Sequence, residues 1–566
     1  MAQGSIIESA EAEPDYDVIV IGGGVNGTGV ARDCALRGLR VGLLEKHDFA
    51  FGASGSSSGM IHGGPRYLTS QPQVTALSCL DSGTIQRIAP NLLFRIPFIF
   101  PVRGRGLRSR LFLSGLDAFF ELYDRYQPLK GGRPHTRLSA AEVRRLEPAI
   151  RGDLAGAVTF DEWGIDGARL CVLNALDAEE HGARLHLHHE VYELLRDGPE
   201  GQGRVTGVRA RDLLTGERLR ATARVVVNAT GAWSPVTTRL VEGADTEIRP
   251  GKGVHVVFDR RLSNYAVVAR AIDGRQIFLM PWENLSYIGT TDDDYYGDLD
   301  DVRATTDEVR YLVQGIARVV PDVRAARIIG TTAGVRPTKS GWGMYEDDLS
   351  RDHEIVDHGD RQDVQGLYSM IGGKLASYRL FSEEMTNRIC ADLDVGERVR
   401  THEQPLPGGA NIVDPAPLAE SFGVPFIAAR RLVYRHGDRA ARVLTRTLRA
   451  PEQRAVVCAC EPVLECEVRH ACRHEHARTL DDVTRRTRLG LGPCGAMRCA
   501  HRAAQIVAEE TGAGSVAAHH MAAELLVARY RSRAPGLDGP QLRQEELLIG
   551  RFVGGGLASA RRGEGV

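Results

Sequence analysis

Two groups of side chains in this 566-residue sequence combine reactive chemistry with informative spacing. The first is cysteine. Cys458 and Cys460 form CxC, Cys494 and Cys499 have four residues between them, and thirty-three residues separate the pairs. Four thiolates are soft ligands able to hold iron or zinc. Zinc sites usually pair cysteines about two to four residues apart, so CxC suits structural zinc less naturally. Six of the ten cysteines fall between Cys458 and Cys499, and in a cytoplasmic protein that density points to metal or cluster binding before disulfides. Cys466 and Cys472 read as bystanders. His470, His474 and His476 are near enough to compete as ligands, which keeps zinc open.

The second group is polar. His62, Arg66 and Tyr67 end a loop of small residues, Gly52 to Leu68. Lys252, His255, Arg336 and Lys339 come from β-rich runs between residues 245 and 345, read as an antiparallel sheet that walls one pocket. Lys374 follows the pair Gly372-Gly373 at the start of a helix, where an anion would sit. The chain has only five lysines and carries its positive charge as arginine, so each lysine marks a place where a generic cation did not suffice.

These groups need a frame, and Asp17 to Glu45 supplies it. The apolar run Val18 to Ile21 meets Gly22, Gly24 and Gly27 in the spacing GxGxxG; a helical segment follows, then a strand, Val41 to Leu44, that ends on Glu45. Gly22 allows a tight turn, Gly24 lets a pyrophosphate approach the backbone, and Gly27 lets helix pack on strand. Glu45 can accept hydrogen bonds from a ribose. Strand, glycines, helix and acid in this order predict a dinucleotide site. In the next loop Ser56, Ser57 and Ser58 can close over a phosphate or a flat ring. A buried strand, Val225 to Asn228, runs into Ala229, Thr230 and Gly231 and then the aromatic Trp233.

At this length two to four domains are expected, of ordinary soluble composition. The net charge of −2 gives no reason to invoke nucleic acid. The first fourteen residues lack a basic start and an apolar core, and no run reaches the length of a membrane span, so a cytoplasmic chain is expected. Leu92 to Leu116 is apolar, carries five arginines and has no acid. It reads either as a cap segment with a solvated basic face or as a surface lying on anionic lipid, its arginines snorkelling to head groups. Prolines and glycines between residues 401 and 417 mark a linker.

The fingerprint followed by the loop IHGG, x, RY, the segment GGKLASYR (Gly372 to Arg379) and the terminal cysteine pattern together resemble the FAD-dependent glycerol-3-phosphate dehydrogenases, and among them the A subunits of the anaerobic enzymes. The loop and the arginine-rich stretch are closer to the single-chain aerobic branch. The cysteine spacing resembles the bacterioferritin-associated-ferredoxin type of 2Fe-2S domain, with Cys458, Cys460, Cys494 and Cys499 as ligands.

The resemblance implies an α/β fold: a Rossmann-like FAD-binding domain of glutathione-reductase type (residues 15–90, 150–244 and 346–398) interleaved with an antiparallel-sheet substrate domain (91–149 and 245–345). A linker (399–417), a helical region (418–452), the cluster domain (453–515) and a tail (516–566) follow. FAD would contact Gly22, Gly24, Gly27, Glu45, Ser56, Ser57, Ser58, His62, Thr230, Gly231, Gly372 and Gly373. sn-Glycerol 3-phosphate would be oxidised to dihydroxyacetone phosphate with hydride passing to the flavin. His255 is the first candidate base and His62 the second; Arg336, Arg66 and Arg351 would hold the phosphate, Tyr67 would orient the substrate, and Lys374 would face the developing alkoxide. Electrons would leave through a 2Fe-2S centre towards a quinone, directly or through partner subunits, with the chain at the inner face of the membrane. Two alternatives stay open: an amino-acid or 2-hydroxy-acid oxidoreductase of the same fold, and a non-catalytic electron-transfer subunit.

Overall fold

The computed structural model describes residues 13–197, 203–340 and 353–554. Its first layer is an eight-stranded sheet built around β1 (Tyr16–Ile21), which pairs in parallel with β2 (Val41–Glu45) on one side and with Arg218–Asn228 on the other. Val18 sits opposite both Val41 and Val225. Val18, Ile19 and Val20 are fully buried, which is why β1 reads as an unbroken apolar run: both faces are covered. Helix α1 (Val25–Leu36) packs against the helices Gly167–Glu180 and Tyr378–Leu393. Leu367–Gly372 extends the parallel core, and His353–Asp357 closes that edge antiparallel.

The second layer is a nine-stranded, mainly antiparallel sheet. Next to one edge, Ile248–Phe258 lies between Leu285–Gly289 and the edge strand Ile328–Lys339. Successive side chains on a strand point to opposite faces. Val254, Val256 and Phe258 therefore enter a core with Val309, Leu312 and Ile316 of the helix Thr306–Ala317, while Gly253 and His255 face the other way.

The cysteine-bearing part is helical apart from the small hairpin Val456–Cys458/Val463–Leu464. It is clamped to the first sheet's surroundings by two buried ion pairs, Arg169 with Glu475 at 2.7 Å and Arg486 with Asp48 at 2.7 Å, and by a hydrogen bond between His188 Nε2 and Asp482 at 3.1 Å. The Pro- and Gly-rich segment read as a linker is itself tied down. Arg32 donates to the carbonyls of Thr401 and Gln404, and the Leu406 amide donates to the carbonyl of Ile88. The arginine-rich stretch divides into the strand Leu93–Arg103 and the first turns of a helix, Leu107–Tyr123, which leaves Leu107, Leu111 and Phe112 exposed beside Arg105, Arg108 and Arg110. Among the described residues no helix is long and apolar enough to cross a membrane.

Candidate active site and cysteine cluster

A cavity of about 730 Å³ runs from the glycine turn after β1 to the face of the second sheet that carries His255. At one end Gly22 adopts φ +112°, and a Cβ there would lie 2.7 Å from the Ala229 carbonyl oxygen. Gly24 caps α1, and a Cβ on Gly27 would lie 2.0 Å from the Gly22 oxygen, so helix and turn touch through glycine alone. Glu45 accepts from the Gly23 amide at 2.6 Å and the His47 amide at 2.8 Å, and burial pushes its pKa up. Thr230, Gly231, Gly372 and Gly373 line the same space, the last two at φ +77° and +90°.

The serine loop spans the two layers. Ser54 Oγ accepts from the Val25 amide at 3.0 Å, Ser56 packs on Gly334, and the Ser58 hydroxyl lies 2.8 Å from His255 Nε2. Ser56, Ser57 and Ser58 all line the cavity. Beyond Ser58 the chain lies along the strand Leu154–Ile165: Met60 pairs with Gly164, and the Ile61 amide donates to the Trp163 carbonyl at 3.0 Å. This register delivers His62 to the cavity. Gly64, at φ +68°, then turns the chain so that Arg66 and Tyr67 reach it too.

The polar groups at this end form a compact set. Arg66 donates to the Tyr67 hydroxyl at 2.6 Å, and Lys374 Nζ stands 4.0 Å from the centre of the Tyr67 ring. Arg336 lies across Gly253 and donates to Asp292 at 2.8 Å and to the Thr290 hydroxyl at 3.0 Å. Burial, with Arg336 nearby, lowers the His255 pKa to about 3; burial, with Lys374, Arg66 and Lys130, lowers that of His62 to about 3. Both rings are neutral at physiological pH and can accept a proton.

Sequence reasoning overreached at two lysines. Lys252 points to the opposite face of its strand and bonds Glu308 at 2.9 Å; Lys339 bonds Glu354 at 2.7 Å, about half exposed. Neither lines the cavity, because each stands an odd number of positions from the inward-facing residue of its own strand, His255 or Arg336, and alternation turns it outward. Arg351 lies outside the described residues. Sequence reasoning also missed Thr290 and Asp292, which hold Arg336; the signal was GTTD at a strand end. At the cavity's rim Asp300 bonds Lys46 at 2.5 Å, His47 at 3.2 Å and the Trp233 indole at 3.2 Å, a clasp between segments remote in sequence.

The cysteines of the terminal pattern fall in two neighbouring pairs, Cys458 beside Cys499 and Cys460 beside Cys494, and Cys499 donates to the Ala496 carbonyl at 3.6 Å. All ten cysteines are free thiols. The neighbouring Cys499 holds the Cys458 thiol below its ordinary value, and the same pairing pushes Cys499 up. Among the described residues no three of these sulfurs lie within 4.8 Å of one another, so they stand as two separate pairs and not as ligands around one point. Cys466 packs in a separate apolar cluster. His470 groups instead with His436 and Glu475, and His476 bonds Glu179 at 3.0 Å. Cys460 shares a cavity of about 240 Å³ with Trp282, whose ring packs on Gly59 directly behind Ser58.

Residues 17–372 match the model of the FAD-dependent oxidoreductases, and residues 399–516 that of the C-terminal domain of alpha-glycerophosphate oxidase. The chain belongs to the FAD-dependent oxidoreductase family. It is 34% identical over 555 residues to the A subunit of the anaerobic glycerol-3-phosphate dehydrogenase of Escherichia coli (strain K12), covering 96% of this chain and 97% of that protein. It is 32% identical over 511 residues to the glycerol-3-phosphate dehydrogenase of Mycobacterium leprae, covering 88% and 85%. Among solved structures, the FAD complex of the glycerol-3-phosphate dehydrogenase from Bacillus halodurans superposes with a TM-score of 0.75 at 25% identity, over 93% of this chain and 97% of that one. These relatives make the chain an FAD-dependent enzyme, and the glycine cradle described above fits that cofactor: turn, helix start and Glu45 border one continuous cavity.

Proposed function

We propose that this enzyme oxidises the secondary alcohol of sn-glycerol 3-phosphate to dihydroxyacetone phosphate. The observation that carries the reading is the convergence of His255, His62, Lys374, Arg66, Tyr67 and Arg336 on the cavity that also holds the dinucleotide cradle. FAD, when bound, supplies the two-electron acceptor. Neutral His255 accepts the hydroxyl proton at Nε2, with Ser58 on the same atom in the resting site; His62 is the second base candidate. Arg336 and Arg66 offer guanidinium forks to the phosphate, and Arg351 is a third candidate. Lys374 places its ammonium where negative charge grows on the substrate oxygen, and Tyr67, flanked by Lys374 and Arg66, orients the carbon chain.

Cys458, Cys460, Cys494 and Cys499 would hold a 2Fe-2S centre, a one-electron carrier able to pass charge towards a quinone or partner subunits. The shared Trp282–Cys460 cavity supports a short route from one site to the other. The exposed Leu107, Leu111 and Phe112 with their neighbouring arginines support peripheral contact with an anionic membrane.

The test is an anaerobic visible spectrum of the purified protein before and after sn-glycerol 3-phosphate. Prompt bleaching of the flavin band is expected, with iron and acid-labile sulfide present by assay. Bleaching by an amino acid or 2-hydroxy acid alone would move the substrate to a carboxylate. A flavin that no such compound reduces would leave a non-catalytic electron carrier, and zinc without sulfide would remove the cluster.

A further inference from the structure

Beneath the IHGG loop lies a buried polar triad that touches neither cavity nor solvent. Lys130, Glu162 and Tyr123 are at most 2% exposed. The ammonium of Lys130 donates to Glu162 Oε2 at 2.5 Å, to the Asp161 carbonyl at 2.8 Å and to the Tyr123 hydroxyl at 3.1 Å, which uses all three of its protons. Tyr123 donates to Glu162 Oε1 at 2.6 Å. Each Glu162 oxygen keeps a second acceptor direction, and the Gly63 amide takes the one on Oε2 at 3.2 Å.

Gly63 is seated on this triad. A Cβ there would lie 2.4 Å from the Tyr123 hydroxyl and 2.3 Å from Cys79 Sγ. Its neighbours are held as well: the Ile61 carbonyl accepts from Ser82 at 2.9 Å and the Gly64 carbonyl from Thr75 at 3.3 Å. On one side of Gly63 the next side chain is His62; on the other, one turn brings Arg66 and Tyr67 into the cavity. A buried ion pair is a poor device for stability, since well-packed apolar groups usually do as well. A compact ammonium, in a chain that elsewhere prefers arginine, is what three acceptors around one point demand.

We infer that Lys130, Glu162 and Tyr123 are positioning residues for the reaction: Glu162, its carboxylate aimed by the other two, anchors the Gly63 amide and so fixes where His62, Arg66 and Tyr67 meet the substrate. This rests on the substrate reading given above.

The test compares two charge-neutral double variants of the FAD-loaded enzyme. Lys130→Met with Glu162→Leu removes both charges and the acceptor for Gly63; Lys130→Met with Glu162→Gln removes the charges and keeps an acceptor. Flavin reduction by sn-glycerol 3-phosphate is followed by rapid mixing, with Tm and flavin content measured alongside. The apolar pair is expected to retain FAD yet reduce it about 10- to 100-fold more slowly, with kcat falling more than KM rises, and the amide pair to recover most of the rate. Wild-type reduction rates in the apolar pair, or equal rates in the two pairs, would overturn the inference. Should the apolar pair fail to fold, Tyr123→Phe, which frees Glu162 Oε1 and takes one acceptor from Lys130, is expected to slow reduction several-fold, and an unchanged rate overturns it equally. Wild-type flavin that stays oxidised with this substrate would instead defeat the substrate reading itself, and the triad's role with it.

Discussion

The wall of the cavity and the seam under the cysteine segment use charge in opposite ways. In the cavity Lys374, Arg66 and Arg336 line a space large enough for a ligand, and the two histidines beside them are neutral. In the seam Arg169, Arg435 and Arg486, each about 1% exposed or less on the side chain, close onto Glu475, Glu467 and Asp48 as forks. Charge that borders a cavity does chemistry; charge sealed between carboxylates fixes one domain against another. Breaking the first should cost rate at little cost in stability, and breaking the second the reverse.

The largest effect is expected at His255. His255→Asn should slow flavin reduction by roughly 10²- to 10⁴-fold, the range general-base catalysis supplies, with FAD still bound. Rapid mixing measures it, and a wild-type rate would remove His255 from the proton transfer. Next comes the seam. Glu475→Gln leaves the buried Arg169 with an uncompensated charge and should cost about 3–5 kcal/mol in denaturant unfolding, while flavin reduction in the surviving fold stays near the wild-type rate.

A smaller effect sharpens the contrast through pH. His62 and His255 are lowered to about 3 in the fold from 6.5 in the unfolded chain, so the unfolded chain binds the extra protons. Stability is full above pH 6.5 and falls below it, by about 1 kcal/mol for each such histidine per pH unit. His255→Asn should flatten that slope by one histidine's share, read from Tm between about pH 7.5 and 5.5. Glu475 and Glu467 are depressed by Arg169 and Arg435 after their burial is outweighed, so their contribution holds above pH ~4.5 and fails only in stronger acid. The smallest effect belongs to the surface: Phe112→Asp should weaken sedimentation with anionic vesicles several-fold and leave flavin reduction by substrate unchanged.

The first layer was legible because its signals are local. β1, the glycine turn and Glu45 are contiguous, and each residue type answers a backbone or packing demand at its own position. His62 and Tyr67 were legible because glycines and serines around them leave little else to build a wall. Lys252 misled because inward or outward on a strand is fixed by pairing partners far along the chain, Lys252 opposite Val335 and Gly251 opposite Arg336. For residues 401–417 composition marks a chain that cannot form a helix, whereas the path it takes depends on Arg32 and Ile88 in distant elements, which composition does not carry. The triad under Gly63 left no trace: Tyr123, Lys130 and Glu162 carry no motif, and only the scarcity of lysine set one of them apart.

The placement of β1 also bears on how the chain is made. β1 ends at Ile21, yet its second neighbour is Arg218–Asn228, and the next strand outward is Leu367–Gly372. At ~5–20 residues per second a ribosome needs on the order of tens of seconds between those strands. Until then β1 is an apolar ribbon with one flank unpaired, and such exposed edges aggregate. β1 must therefore keep one edge open until Arg218–Asn228 has been made, and any co-translational route by which this chain folds has to protect that edge in the interval.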